Sequence, residues 1–152
     1  IPKPALNAFA MLHLLGDRRI RLDADSAIAT RRADGSIAVA LWNYAPPYGE
    51  GATYTPPPAA AGPSKTITLK LEGVAATAPI QIWRLDADHG NVLKSYDAMG
   101  RPAFPTRDQI AKLREAGKPA PPESSSLKSG SLTITIPPQG LVLVTTGKKT
   151  TH

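Results

Sequence analysis

The sequence contains no cysteine. That absence excludes disulfide frameworks, thiolate zinc sites and cysteine nucleophiles, while leaving both reducing and oxidising compartments open. Aromatic residues are scarce: two Trp, four Tyr and two Phe. They follow no stacking pattern of the kind found in RNA- or single-strand-binding folds. No apolar run approaches the roughly 18–20 residues of a membrane-spanning helix. The opening Ile1-Pro2-Lys3-Pro4 lacks the charged and apolar regions of a signal peptide and starts on Ile, so it reads as the middle of a longer chain. The three histidines, His13, His89 and His152, are too dispersed to suggest a metal site. No Ser–His–Asp arrangement, P-loop or GxGxxG occurs.

What remains is enough for one domain. The chain has 152 residues, 41% of them hydrophobic and 20% charged, which supports a core without metals or cross-links. Its 16 prolines amount to roughly twice the usual frequency of about 5% and argue for many short elements rather than a helix bundle. Eighteen Lys and Arg against twelve Asp and Glu give a formal charge of +6. The densest basic groups, Arg18-Arg19-Arg21, Arg31-Arg32 and Lys148-Lys149, are short and separated. No nucleic-acid or membrane partner is expected from them.

Along the chain, Pro4 opens a helix that good formers carry to Leu15, with Gly16 expected at its C′ position. Its apolar residues cover more than one stripe, so it is expected to need cover from a second domain. Strands follow at Ala27 to Arg32 and Ser36 to Tyr44, joined at Ala33-Asp34-Gly35. Ala45 to Ser64 is a long proline-rich loop, and Tyr44, Tyr48 and Tyr54 on or beside it are candidates for a partner surface. Lys65 to Glu72 and Pro79 to Leu85 alternate as strands. A helical insertion over about 91–117 contains the capping box Thr106-Arg107-Asp108-Gln109. Lys118 to Ser131 shows no pattern. Leu132 to Ile136 and Leu141 to Thr146 are expected to pair as a hairpin through Pro137-Pro138-Gln139-Gly140, and the tail after Gly147 to fray. The fold class expected is mostly β: an antiparallel β-sandwich with an N-terminal helix and a short helical insertion between strands.

Three stretches carry a resemblance. They are Ile1-Pro2-Lys3-Pro4 with Ala8-Phe9, Leu12 and Leu15-Gly16-Asp17-Arg18; Leu41-Trp42-Asn43-Tyr44; and Asp86-Ala87-Asp88-His89-Gly90-Asn91 running on through Tyr96, Met99-Gly100-Arg101-Pro102, Phe104-Pro105-Thr106 and Gln109-Ile110. Together with Pro137-Pro138-Gln139-Gly140-Leu141 they resemble the C-terminal region of glycoside hydrolase family 39, on the side of the bacterial β-xylosidases rather than α-L-iduronidase. The resemblance covers nearly the whole chain except Ala45 to Ser64 and Lys118 to Ser129. It implies that residues 1–19 are the terminal helix of an upstream (β/α)8 barrel, 20–147 an ancillary β-sandwich, and 148–152 a tail. It also implies a retaining parent enzyme whose acid/base and nucleophile lie on the barrel, upstream of Ile1.

On that reading this chain alone has no catalytic residue and needs no cofactor or metal. Its partners are the upstream barrel and, through the parent, xylo-oligosaccharide, with a homo-oligomer left open. A bacterial periplasmic or extracellular location is favoured over a cytoplasmic one. Asp88, His89, Asn91 and Arg101 are the candidates for a substrate-pocket or domain contact. Two readings of His89 stand side by side: its turn reaches the mouth of the barrel, or Asn91 caps the next helix and His89 bonds locally. In an extended chain Asp86 and Asp88 would point the same way, roughly 6–7 Å apart, but with no pocket visible around them they are read as solvated loop carboxylates or a helix N-terminal charge ahead of Asn91. Trp42 and Trp83 lie mid-strand and are expected in the core. The alternative function is an autonomous carbohydrate-binding or protein-interaction module; the first would need a row of exposed aromatics, and the second has only the basic surface in its favour.

Overall fold

The computed structural model describes residues 1–44 and 62–147. Tyr48, Tyr54, most of the proline-rich stretch and the tail beyond Gly147 lie outside the described residues. Helix α1 (Pro4–Leu12) is followed by strands β1 (Arg18–Ile20), β2 (Ala27–Arg31), β3 (Ile37–Asn43), β4 (Lys65–Lys70) and β5 (Pro79–Leu85). Helices α2 (Leu93–Ala98) and α3 (Arg107–Ala116) form the insertion, and β6 (Glu123–Ser126), β7 (Ser131–Ile136) and β8 (Gly140–Thr146) close the chain.

All pairings are antiparallel, as expected for a sandwich. Six strands form one sheet in the order β1-β2-β3-β8-β5-β6, and β4 and β7 form a second. Period-two alternation decides which side chains meet. Val39 and Leu41 of β3, Ile80 and Ile82 of β5 and Val142 and Val144 of β8 face one way, and Leu69, Ile134 and Ile136 of the small sheet pack onto them. The outer face of the small sheet is polar, with the pairs Thr66–Thr135 at 3.1 Å and Thr68–Thr133 at 3.0 Å. The opposite face of the large sheet receives α1: Met11 packs with Ala40, Leu85 and Leu143. Trp83 packs partly against that cluster. Cover on both faces explains why β3 and β8 read as nearly continuous apolar runs.

Several expectations are corrected. The helix stops at Leu12, not Leu15, with His13 as its C-cap in right-handed conformation. Gly16 therefore does not serve as a C′ residue; it is small because a Cβ there would sit 2.2 Å from the Arg31 carbonyl oxygen, and its own N–H donates to Thr30 Oγ1 at 2.7 Å. Leu132 to Ile136 and Leu141 to Thr146 do not pair. β7 joins β4 whereas β8 joins β3 and β5, so the Pro137-Pro138 turn carries the chain from one layer to the other. The two prolines lack the N–H groups a tight paired turn would use.

The stretch Lys118 to Ser131 is not patternless either, since it holds edge strand β6 and the buried Leu127. Ser129 and Gly130, with φ of 50° and 74°, then turn the chain back, and Lys128 bridges Ser131. Finally, among the described residues eight strands stand where about six were expected. β1 begins at Arg18, so the last two residues of the stretch assigned to a terminal helix already belong to the sheet.

Candidate functional site

The candidate residues lie where β5 ends and the helical insertion begins. Leu85 is the last buried apolar residue of the strand, and the chain then folds into a tight turn over residues 86–90. Asp86 is only 6% exposed, an unusual position for a carboxylate. Its Oδ1 accepts the backbone N–H of Asp88 at 2.9 Å and of His89 at 3.1 Å. The same oxygen meets His89 Nδ1 at 2.7 Å. The Asp86 N–H donates to the His89 carbonyl at 3.1 Å, closing the turn from the other side. Three hydrogen bonds to Oδ1 compensate the buried carboxyl, and the backbone bond closes the turn.

That geometry corrects the extended-chain estimate. Asp86 and Asp88 do not present two carboxylates to one point. Asp86 is turned inward to hold the backbone, while Asp88 is exposed and paired with Lys94. The Lys94 hydrogen bond, and next its charge, hold the Asp88 carboxyl below the usual aspartate range; the same contact holds the Lys94 ammonium above its usual range.

His89 is half-exposed, with Nδ1 fixed by Asp86. Its Nε2 has no partner among the described residues and is the ring atom available to an incoming group. Asn91 Oδ1 accepts the N–H of Leu93 at 3.0 Å, at the first residue of α2. Asp88, His89 and Asn91 thus share one turn. Arg101 lies beyond α2 in left-handed conformation, φ 50°, with Nε donating to Asp97 at 2.6 Å and its N–H to the Tyr96 carbonyl at 3.1 Å. The Asp97 hydrogen bond, followed by its charge, raises the guanidinium's pKa. Its partners belong to α2, not to the turn.

Sequence reasoning missed Asn7, which ties this region together. It is 3% exposed, and its Nδ2 donates to the Gly90 carbonyl at 2.7 Å and to the Gly117 carbonyl at 2.9 Å. One amide therefore joins α1, the 86–90 turn and the C-terminal end of α3. A signal was present: Asn7 precedes buried Met11 by four residues, and a polar side chain on the buried stripe of an otherwise apolar helix marks a buried hydrogen bond. Gly90, with φ 62°, already brings its α-carbon so close that a Cβ would lie 3.1 Å from Asn7 Nδ2.

Beside this junction a cleft of about 290 Å³ opens between the N-terminal segment and the insertion, lined by Ile1, Lys3, Val92, Tyr96, Pro105 and Leu113. Its walls are mainly apolar, and Tyr96 Oη donates to the Pro102 carbonyl at 3.2 Å. Phe104, between the lining residues Ala103 and Pro105, is 94% exposed, and on α1 Leu6 is 61% and Phe9 72% exposed. Among the described residues no three His, Cys, Asp or Glu side chains converge as metal ligands would. No helix there is long and apolar enough to cross a membrane.

Residues 1–133 match the profile of Glycosyl hydrolases family 39. A β-xylosidase from Geobacillus stearothermophilus is 34% identical over 116 residues, covering 76% of this chain and 21% of that relative. The chain thus spans about a fifth of the relative's length. Among solved structures, a monomeric β-xylosidase from Caulobacter crescentus CB15 superposes with a TM-score of 0.77 at 16% identity, over 97% of this chain and 31% of that one. The GH39 enzyme from Xanthomonas axonopodis pv. citri gives 0.71 at 23% identity, over 95% and 30%.

Proposed function

Because the chain belongs to glycosyl hydrolase family 39, we propose that it is the non-catalytic C-terminal β-sandwich of a retaining glycosidase whose parent activity is xylan 1,4-β-xylosidase. In this reading α1 (Pro4–Leu12) is the last helix of the catalytic barrel, and the chain from β1 at Arg18 to Gly147 is the ancillary sandwich. The observation that carries it is the outer face of α1. Met11 and Asn7 are buried against the sandwich, whereas Leu6 and Phe9 on the other side are exposed at 61% and 72%. Large apolar side chains in such a patch favour burial by a neighbouring domain.

The carboxylates support the same reading. A retaining enzyme needs two carboxyl groups about 5–5.5 Å apart across the sugar. Asp86 is committed to its own turn and Asp88 to Lys94. The role of the 86–91 turn and of Arg101 is then to shape the domain contact or the sugar pocket from outside, with His89 Nε2 as the atom offered.

Hydrolysis of p-nitrophenyl β-D-xyloside tests the proposal. The 152-residue chain alone should be silent, and the longer protein carrying the upstream barrel should turn over. Activity of the short chain, free of contaminants, would overturn it. In the longer protein, His89→Ala should lower kcat/KM if the turn reaches the sugar pocket; unchanged kinetics with a lower thermal midpoint would restrict His89 to its local bonds.

A further inference from the structure

The two-stranded sheet is too narrow to cover the six-stranded one, and the sandwich gapes where β4 faces β1, β2 and β3. There a cleft of about 240 Å³ runs in between the layers, with Ile37, Val39 and Leu69 at its floor and Ile20 and Leu71 on its walls. At its mouth stand Arg21 and Arg31, with Glu72 the one acid bordering it, while Lys70 shares the outward face of β4 with Thr66 and Thr68. Arg31 lies directly opposite Arg18 in the β1–β2 register, a pairing of like charges that destabilises a sheet. No carboxylate forms an ion pair with Arg18, Arg21, Arg31 or Lys70 among the described residues. The Arg31 guanidinium instead gives Nη1 to the Gly35 carbonyl at 3.0 Å.

Edge protection accounts for charge on β1, which is an outer strand. It does not account for an apolar gap beneath unbalanced cations. We propose that this cleft binds a free amphipathic carboxylate of medium chain length, its alkyl part between the layers and its carboxylate on Arg31 and Arg21. The floor is already buried, and the gain comes from the partly exposed Ile20 and Leu71 and the exposed Leu22, which shed water onto the alkyl chain. The guanidinium fork suits a planar carboxylate, whose charge relieves the Arg18–Arg31 repulsion. The volume is below that of a drug-sized ligand site, which limits the tail to a single short chain. The inference does not rest on the glycosidase reading, because neither the cleft nor its rim includes the 86–91 turn or the outer face of α1.

Sodium octanoate titrated into the chain, followed by calorimetry and by methyl NMR, tests this. One-to-one binding with Kd on the order of 0.1–1 mM is expected, with shifts confined to Val39, Leu69 and their neighbours. Arg31→Glu should weaken binding at least tenfold; Arg31→Gln, a milder change, should weaken it less, and a circular-dichroism spectrum identical to wild type excludes unfolding as the cause. Neutral octyl glucoside and inorganic phosphate should each bind far more weakly than octanoate. Absence of heat and shifts at 5 mM octanoate, equal binding by octyl glucoside, or insensitivity to Arg31→Glu would each overturn the proposal. Adsorption to anionic vesicles without octanoate binding would overturn it too, in favour of a membrane surface.

Discussion

Asn7 and Gly90 are 83 residues apart in sequence and are joined by a 2.7 Å hydrogen bond inside the protein. The same amide reaches Gly117, so one side chain in the first helix fixes both ends of the helical insertion. The insertion is therefore anchored to α1 as well as to the strands that flank it. In the proposed parent, any force the barrel applied to α1 would reach the 86–91 turn through this amide.

Replacing Asn7 by Leu should leave two buried carbonyls without a donor. An unfolding free energy lower by about 2–4 kcal/mol is expected from urea denaturation, since each orphaned acceptor costs about 1–3 kcal/mol. Amides in α3 and in the 86–90 turn should exchange faster than those of β3 and β8. A loss below about 0.5 kcal/mol would mean that water replaces the amide.

Gly16→Ala should be severe for so small a change. The new methyl would meet backbone at 2.2 Å, and backbone cannot rotate away as a side-chain tip can. A loss of about 2–3 kcal/mol is expected in thermal or denaturant melts, the upper range for overpacking. Gly73→Ala is an instructive comparison: open space surrounds its Cβ, and only its φ of 75° opposes the substitution. Its cost should fall near 1 kcal/mol.

The Asp88–Lys94 pair sets a pH window. A lowered aspartate pKa contributes stability that is present above the unfolded value and lost as pH falls through the folded one. A raised lysine pKa contributes stability that is present below the unfolded value and lost as pH rises through the folded one. The contribution should thus be flat through neutrality and fade at both extremes. Lys94→Ala should return the Asp88 carboxyl towards its ordinary value in an NMR titration and, because the pair is on the exposed surface, barely move the melting temperature.

Phe9→Ser separates the two faces of α1. In the isolated chain it should change stability by no more than about 0.5 kcal/mol, as for an ordinary surface substitution. In the longer protein it should lower the thermal midpoint by several degrees. No effect in both would remove the outer face of α1 as a domain contact.

Much of the fold was legible because period-two alternation in β4 and β7 is set by burial on one face, while β3 reads as an apolar run covered on both. The Thr106 capping box was equally plain, and the structure has both of its reciprocal bonds. Harder to read were β1 and β6, short edge strands whose residues are nearly all exposed and carry no burial pattern. The partner of β7 was misread because adjacency along the chain favours a hairpin, whereas its inward Ile134 and Ile136 are satisfied only in the other layer. In the candidate site, the turn at Asp86 to Asn91 could be located from its small polar residues. That Asp86 folds inward and Asp88 outward could not, because the choice depends on backbone donors that a linear sequence does not place. Asn7 was hidden by a contact across most of the chain.

The strand order has one more consequence. Among the described residues β8 is the last strand in chain order, yet it lies in the middle of the large sheet, between β3 and β5. Until residue 146 has left the ribosome, the β1–β3 meander and the β5–β6 pair have no ladder between them. Folding of this unit must be a late, concerted event rather than a progressive one, slowed by contacts between distant parts of the chain. A nascent chain arrested a few residues short of that point is a natural client for a chaperone, and trimming the last strand should abolish the domain rather than shorten it.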